Sequence, residues 1–340
     1  MTGFRYVAAA GLLALAAPAA AQATTGPACG ATITSDTRLR GDLVDCPGDG
    51  LVIGADNVTL DLGRRTVDGV GTGVGIRLAG HRGVKVTGGT VREFGGGLAL
   101  DDADGARVSG LQVTGIAGRG IDLANGSDGN DFTAVDSSGN RTGFAVTEST
   151  GNRLRLSTLS GNAVTGVLVL RSTKTKVQGN RVVDNAGNGI AFVEGSTANE
   201  ASANVVRGSV TSLWIDTSDR NVFALNAVSG GGDGVLVAGS GNVVTGNVID
   251  RSVGGCEGCF GYGIGVTAGT GNVVKANLVT RSAGPLDIFA AAGAVADGGG
   301  NRAARCEGVS CRGAQPRPRG SARTPRPGGH RSGDGRRGHG

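Results

Sequence analysis

The sequence has few aromatic residues and no long hydrophobic run. Of its 340 residues, 8 are Phe, 2 are Tyr and 1 is Trp, whereas 66 are Gly. A core built on aromatic side chains is therefore excluded. The apolar run Val7–Ala17 is too short to cross a bilayer, so a multi-span membrane protein is excluded as well. Apolar residues still make up 39% of the chain, which is too many for a disordered protein. The remaining class is a β-rich, glycine-punctuated protein with internal repeats.

Residues 1–23 have the pattern of a secretory signal peptide. One cation, Arg5, precedes the apolar run, and Ala21-Gln22-Ala23 follows it as a small-x-small cleavage site. We expect cleavage after Ala23 and a secreted or periplasmic protein with no membrane span and no lipid anchor.

The six cysteines are expected to form disulfides, because an exported protein matures in an oxidising compartment. They fall into three sequence-local pairs, although six cysteines allow fifteen connectivities. The spacing of Cys256 and Cys259 also fits a redox or metal motif, but no thioredoxin-like pattern or second ligand pair accompanies them. We expect no metal site and no cofactor, and calcium stays open without being indicated. The predicted pairs are Cys29 with Cys46, Cys256 with Cys259, and Cys306 with Cys311.

Positive charge is concentrated at the C-terminus. The formal net charge is +5, but residues 312–340 carry about +7 and residues 24–311 about −3. This distribution excludes a basic nucleic-acid-binding body. The segment 312–340 is rich in Arg, Pro and Gly, so we expect it to be disordered. It acts either as an arm that binds anions, polysaccharide or the cell envelope, or as a solvated tail.

A unit of one small residue, usually Gly, followed by an apolar-x-apolar triplet recurs ten times, mostly 22 or 23 residues apart. The alternation has period two, so the first and third triplet residues face a core and the middle one faces outward. Each triplet therefore predicts a short strand. The units begin at Gly75, Gly97, Gly120, Gly143, Gly166, Gly189, Ser212, Gly234, Gly263 and Pro285.

A second strand follows each triplet by about ten residues and is marked by paired asparagines, such as Asn221 with Asn226 and Asn242 with Asn247. We interpret these columns as stacked side-chain amides, in preference to ligands or glycan acceptors. One unit cannot bury its apolar face alone, whereas stacked units share a core. The pattern predicts an all-β, right-handed parallel β-helix of about eleven turns in one domain, residues 24–311, with Gly and Asn in left-handed conformations at its corners.

The chain resembles the right-handed parallel β-helix repeat proteins, the pectate-lyase-like and NosD-like group of secreted and periplasmic proteins. The resemblance covers about residues 29–311 and includes a capping segment from Cys29 to Gly69. It implies carbohydrate binding or processing. The enzymatic signatures of the family are incomplete, because only Asp101-Asp102 and Gly80-His81-Arg82-Gly83 echo them. The pattern therefore indicates the fold and not a reaction.

Two constellations of charged residues are candidates for catalysis. Stacking arithmetic places His81 one turn from Asp101 and Asp102, where a His beside carboxylates could act as a general acid or base. The alternative is a solvated surface His. Glu148, Arg171 and Glu194 occupy one position on successive turns, which sets the carboxylates about 9 to 10 Å apart, near the spacing of inverting glycosidases. The alternative is a structural charge ladder.

A third constellation is an apolar patch of outward-facing residues with Asp216 beside it. Trp214 could stack on a sugar ring there, and an insertion that carries Phe260 and Tyr262 could wall the patch. The alternatives are a surface covered by a loop or by the C-terminal segment, and a homo-oligomer interface. The patch residues are Leu168, Leu170, Ala191, Val193, Trp214, Leu236 and Ala238.

We therefore predict an exported β-helix protein that binds extracellular or cell-envelope polysaccharide without a recognisable catalytic signature. The alternative is a polysaccharide lyase, hydrolase or epimerase that works on the outward face of the parallel sheet. The predicted catalytic residues are His81, Asp101, Asp102, Glu194 and Asp216, and the predicted substrate-binding residues are Trp214, Arg171, Leu168, Leu236 and Tyr262.

Overall fold

The computed structural model describes residues 26–313. The predicted signal peptide and all but the first two residues of the predicted basic tail lie outside this range. Within it the chain forms strands and turns and no helix, so it contains no apolar helix of membrane-spanning length. The chain divides into two compact units between residues 158 and 159.

The first unit is a β-solenoid whose first face carries the apolar-x-apolar triplets. Its strands pair in parallel and in register, so that Ile76, Leu98 and Ile121 lie directly above one another. Inward triplet residues such as Leu98 and Ile121 are at most 1% exposed, which confirms the predicted inward and outward alternation. The strands are Ala31–Ile33, Leu51–Ile53, Val74–Ala79, Gly96–Asp101, Arg119–Ala124 and Thr142–Thr147.

Two further faces close the solenoid of the first unit. The long strands Thr59–Gly69 and Lys85–Arg92 run through the corner between these faces, whereas later turns break there into two short strands. The second face contains Thr37–Arg38, Arg107–Ser109, Asp131–Thr133 and Arg153–Arg155, and the third contains Leu43–Cys46, Gln112–Thr114, Asp136–Ser138 and the start of Thr158–Ser160, which the division between the units crosses.

The second unit is a β-solenoid of the same three-faced kind. Its first face consists of Thr165–Leu170, Asn188–Val193, Thr211–Asp216, Asp233–Ala238, Ile264–Ala268, Ile288–Ala290 and Cys306–Glu307. The second face contains Lys176–Gln178, Glu200–Ser202, Val222–Ala224, Val243–Thr245, Asn272–Lys275 and Val295–Asp297. The third contains Arg181–Val183, Val205–Arg207, Ala227–Ser229, Val248–Asp250, Leu278–Thr280, Asn301–Arg302 and Cys311–Arg312. The first faces of both units together hold more strands than the eleven predicted turns, because Ala31–Ile33 and Leu51–Ile53 precede the ten aligned units and Cys306–Glu307 follows them.

The asparagine columns form the predicted amide ladders. In the second unit the side-chain amide of Asn204 donates to Oδ1 of Asn226 at 3.0 Å, and Asn226 donates in turn to Asn247 at 3.0 Å. Each Oδ1 also accepts a backbone N–H from the preceding turn, as Asn226 does from Asn204. These asparagines are at most 1% exposed, so the ladder satisfies buried backbone groups that no strand partner reaches.

The prediction that Gly and Asn adopt left-handed conformations at the corners is confirmed for glycine, as at Gly241 (φ 65°) and Gly246 (φ 65°), but is wrong for the ladder asparagines. The residue immediately before each ladder asparagine is the left-handed one, as Leu225 (φ 56°) is before Asn226. That position accepts other side chains, because the following Asn ties down the turn. The triplet glycines are required for a different reason: a Cβ at Gly189 would collide with the backbone carbonyl of Ser212 on the next turn.

The register of the tenth triplet also differs from the prediction. The sequence repeat aligns Leu286 with Ile264, whereas the structure pairs Ile288 with Ile264 and Phe289 with Gly265. The two-residue slip arises because Asp287 is bound in place: its carboxylate accepts the backbone N–H of Arg305 and forms an ion pair with the same residue at 3.0 Å. Phe289 thereby becomes the outward residue of this turn.

The structure forms the three predicted disulfides. Cys29 bonds to Cys46 at the first turns, Cys306 bonds to Cys311 at the last described turns, and Cys256 bonds to Cys259 within an insertion that precedes Ile264–Ala268.

Candidate binding surface

The middle residues of the triplets form one outward column in the second unit. The parallel register aligns Leu168 with Ala191, Ala191 with Trp214, and Trp214 with Leu236. It continues from Leu236 through Gly265 to Phe289. Four of the five predicted substrate-binding residues, Leu168, Trp214, Leu236 and Tyr262, therefore lie in or against one column.

The insertion adds two aromatic rings to this column. Tyr262 stacks between Phe260 and Phe289, with ring centroids 5.3 Å apart on each side and interplanar angles of 10° and 20°. Phe260 is 52% exposed. Three parallel rings thus extend the column away from Leu236, as the predicted wall of the patch.

Gly265 joins the insertion to the strands. A Cβ at this position would lie 2.8 Å from Cδ2 of Leu236 and 2.9 Å from Cδ2 of Tyr262. Because glycine leaves this space free, Leu236 and Tyr262 meet above it. The result is one continuous surface, here called the aromatic platform, which consists of Trp214, Leu236, Phe260, Tyr262 and Phe289.

Asp233 holds the insertion against the solenoid. Its carboxylate accepts the backbone N–H of Phe260 at 3.2 Å and that of Tyr262 at 2.9 Å, and Gly261 donates as well. Burial raises the pKa of Asp233 above its usual range, and these N–H donors oppose the rise only in part. The rings of Phe260 and Tyr262 are therefore positioned by the carboxylate of Asp233, a fully buried residue (0% exposed).

The disulfide of the insertion packs on the preceding turn. A Cβ at Gly232 would collide with Sγ of both Cys256 and Cys259. The disulfide can therefore pack against this turn only because residue 232 is a glycine. The disulfide and Asp233 fix the insertion at two points, which supports the prediction that Cys256 and Cys259 staple a loop.

Polar groups border the platform on one side. Asp216 ends the strand that carries Trp214, and on the neighbouring turn the backbone N–H of Glu194 donates to the carbonyl of Asp216 at 3.2 Å. Glu194 in turn forms an ion pair with Arg171 at 2.6 Å. The structure therefore brings these three predicted site residues together, and Arg171 with Glu194 forms a rung of the charge ladder that the sequence offered as the alternative.

The strands beneath the platform carry no positive charge. None of the seven first-face strands between residues 165 and 307 contains Lys or Arg. Their charged residues are Asp216, Asp233 and Glu307. These strands therefore offer an anionic ligand no cationic partner, which an uncharged sugar ring does not need.

The first unit places His81 beside a carboxylate that sequence reasoning missed. Nδ1 of His81 lies 3.0 Å from Oδ1 of Asp56, one turn earlier. The backbone N–H of Arg82 and then the hydrogen bond with His81 lower the pKa of Asp56. The predicted partners are engaged elsewhere or lie at the corner: Asp101 accepts from Asn125 at 2.8 Å, and Asp102 is a left-handed residue (φ 49°). This arrangement fits a solvated surface His better than an acid–base pair.

Comparison with known families identifies the fold. A family model described as right handed beta helix region matches residues 74–228, and one described as periplasmic copper-binding protein (NosD) matches residues 191–288. The chain belongs to the right-handed parallel β-helix repeat family. A search of curated proteins found no match.

The chain is also similar to solved structures at low sequence identity. The Dettilon tailspike protein (gp208) is 18% identical, with a TM-score of 0.58 over 79% of this chain and 61% of its own. A DFA-IIIase from Arthrobacter chlorophenolicus A6 is 18% identical (TM-score 0.49, 75% and 66%), and an alginate lyase from Paenibacillus sp. str. FPU-7 is 14% identical (TM-score 0.48, 77% and 91%). The chain thus spans less than two thirds of the tailspike and of the DFA-IIIase.

The residues of the segment that resembles NosD do not fit copper. Copper prefers imidazole, thiolate and thioether donors. Residues 191–288 contain no His and no Met, and their two cysteines are joined in a disulfide. Across the described range 26–313, no three His, Cys, Asp or Glu side chains are grouped to hold a metal ion.

Proposed function

We propose that this β-helix protein binds polysaccharide outside the cytoplasm and that the aromatic platform is its binding surface. The observation that carries the proposal is the continuous row from Trp214 to the stacked rings of Phe260, Tyr262 and Phe289. Aromatic rings present flat apolar faces that pack on the C–H faces of sugar rings, while Asp216 at the border accepts hydrogen bonds from hydroxyl groups. Phe260 is exposed and the other four platform residues are half-buried, so solvent reaches the row, and apolar surface that solvent reaches is typical of interaction sites when it is contiguous.

The absence of cations beneath the platform supports a neutral glycan as its ligand. The strands there contribute no Lys or Arg to pair with a polyuronate, and Asp216 can accept hydrogen bonds from a neutral sugar. The proposal therefore narrows the predicted ligand class to uncharged polysaccharides for this surface.

A glycan-active enzyme is the second candidate, favoured by the position of Asp216 and Glu194 on adjacent turns beside Trp214. Two nearby carboxylates are the minimum that glycoside hydrolysis requires. The Glu194 carboxylate is engaged by Arg171 at 2.6 Å, and this contact competes with any approach of the carboxylate to a glycosidic bond.

The two candidates separate in one screen. The full chain is incubated with neutral and uronic-acid polysaccharides, with and without calcium, and both retardation in affinity gels and the release of reducing or unsaturated ends are measured. We expect retardation by at least one neutral glycan and no release. Turnover that disappears in Asp216→Asn or Glu194→Gln would show that the protein is an enzyme and contradict a binding function. Turnover that is lost only in His81→Ala would place the active site in the first unit.

We expect Trp214→Ala to weaken binding to the retained neutral glycan about tenfold or more, which corresponds to about 1.4 kcal/mol. The loss follows because this side chain provides the largest flat surface of the platform. Leu225→Ala is the matched control, since Leu225 is an apolar side chain that is 68% exposed at a corner away from the outward column. Its affinity should stay within twofold of the unmodified protein, and equal losses in both variants would contradict the assignment.

A further inference from the structure

Four arginine side chains converge on one concavity in the first unit. Arg38 and Arg40 come from one turn and Arg64 and Arg65 from the next, and together with Leu39 and Gly63 they line a cavity of about 700 Å³. The parallel pairing of these turns explains the convergence, because Arg38 aligns with Asp61 and the segments that follow stay in step.

Most of this positive charge has no counterion within the described residues. Among the described residues, the only carboxylate within ion-pair distance of these four arginines is that of Asp61, which lies 3.4 Å from Arg38, and this pair is largely exposed. The Asp42 carboxylate accepts the backbone N–H of Thr66 at 3.0 Å. Arg40, Arg64 and Arg65 are exposed and have no ion pair or side-chain hydrogen bond in the described part of the chain. Oδ1 of Asp61 already accepts the backbone N–H of Gly63 at 2.8 Å and the hydroxyl of Thr87 at 3.3 Å. Clustered like charges repel one another, so bringing four arginines together does not by itself stabilise the fold.

The next turn leaves the corner beside the cluster without side chains. Gly88 stacks on Gly63, so closely that a Cβ at Gly88 would meet the carbonyl of Gly63. Gly89 follows it, where a Cβ would lie 2.8 Å from the carbonyl oxygen of Arg65. This turn therefore contributes no side chain at the corner that could pair with the guanidinium groups.

We propose that this arginine cluster is a second binding site, distinct from the aromatic platform, which takes the oxyanion groups of an acidic polysaccharide. Guanidinium groups bind carboxylate, sulfate and phosphate through paired N–H donors. The cavity volume lies in the range of organic ligand sites and exceeds what one free anion fills. A long nucleic acid would extend onto the net negative body, whereas a few oxyanions on a glycan would stay within the cluster.

The test is residue-specific protection of arginine in the full chain. Arginines are modified with phenylglyoxal at low ionic strength, with and without polygalacturonate, and each peptide is quantified by mass spectrometry. We expect modification of Arg38, Arg40, Arg64 and Arg65 to slow about fivefold or more. Arg107 and Arg153, exposed arginines of the same unit, should react unchanged. Peptides from residues 314–340, which are rich in arginine, are read separately, so that binding there is not mistaken for binding at the cluster.

A pair of charge-removing variants sharpens the result. Arg64→Ser with Arg65→Ser should abolish the protection of Arg38 and Arg40, and Arg107→Ser with Arg153→Ser should leave it intact. Protection should also weaken as salt rises. Three results would overturn the proposal: no protection at the cluster, equal protection at Arg107 and Arg153, or protection by inorganic phosphate or a DNA oligonucleotide as strong as by polygalacturonate at matched charge. The outcome of this test is independent of neutral-glycan binding at Trp214, because the arginine cluster is tested with polygalacturonate and the platform with a neutral glycan.

Discussion

Asn226→Ala is expected to destabilise the second unit by about 3–5 kcal/mol. The side chain of Asn226 accepts the backbone N–H of Asn204 at 3.0 Å, donates to the carbonyl of Ala201 at 2.9 Å, and links the amides of Asn204 and Asn247. Alanine leaves these buried groups without partners, and no water reaches a position that is 1% exposed. The free energy of unfolding in denaturant is the measurement.

The control for this substitution is Gln178→Ala, which removes an exposed amide from a strand of the same unit. Its effect should stay within about 0.5 kcal/mol. If the two variants were equally stable, the amide ladder would not be what holds the corners, and the left-handed residues before each Asn would need another source of stability.

Asp233→Ala is expected to release the insertion and to cost about 2–4 kcal/mol. Three backbone N–H groups lose a charged acceptor, and Phe260 and Tyr262 lose their fixed position above Gly265. Affinity for the neutral glycan should fall along with stability. The measurements are the unfolding free energy and retardation in affinity gels. Asp219→Ala is the matched control: Asp219 also accepts a backbone N–H, from Ser240 at 2.7 Å, but is exposed, so both quantities should change little.

The pH dependence of stability gives an independent reading of Asp233. Its pKa is raised in the folded protein because of burial, while the unfolded chain has the ordinary value of about 3.9. The folded protein therefore binds this proton more tightly than the unfolded chain does. As pH falls from above the raised pKa of Asp233 toward about 4, the contribution of this carboxyl to the free energy of unfolding increases. Asp233→Asn lacks this gain, so the stability of the unmodified protein relative to Asp233→Asn should rise over that interval. A difference that stays constant would show that Asp233 titrates normally.

The fold could be predicted from sequence because each turn must meet the same packing and hydrogen-bonding requirements. The triplets must bury two residues and expose one, and the asparagines must satisfy the backbone at a buried corner. Those demands appear as a fixed period, which the register of Ile76, Leu98 and Ile121 confirms.

The insertion and the last turns depart from that period. Two residues of the platform region, Phe289 and Asp233, were not predicted from the sequence. Phe289 was missed because the repeat placed Leu286 where the structure places Ile288. The alternating Ile288-Phe289-Ala290 was the available signal. Asp233 was missed because a buried carboxylate that binds a distant loop leaves no local pattern. Its importance follows only from the N–H groups of Phe260 and Tyr262, which come from the next turn.

The arginine cluster was not predicted from the sequence for a different reason. Net charge is a sum over all of residues 24–311, and a sum of about −3 does not reveal four arginines that two successive turns of the solenoid bring together. The signal in the sequence was the spacing of Arg38 and Arg40 from Arg64 and Arg65, which is close to the repeat length.

The most direct test of the platform is the emission of Trp214 during titration with a neutral polysaccharide. Because Trp214 is the single tryptophan of the chain, its fluorescence reports on this surface without any substitution. We expect a saturable change in intensity or wavelength with neutral glycan, and the same change weakened in Phe289→Ala. Binding that registers in affinity gels while the emission of Trp214 stays constant would place the glycan elsewhere and contradict the proposed binding surface.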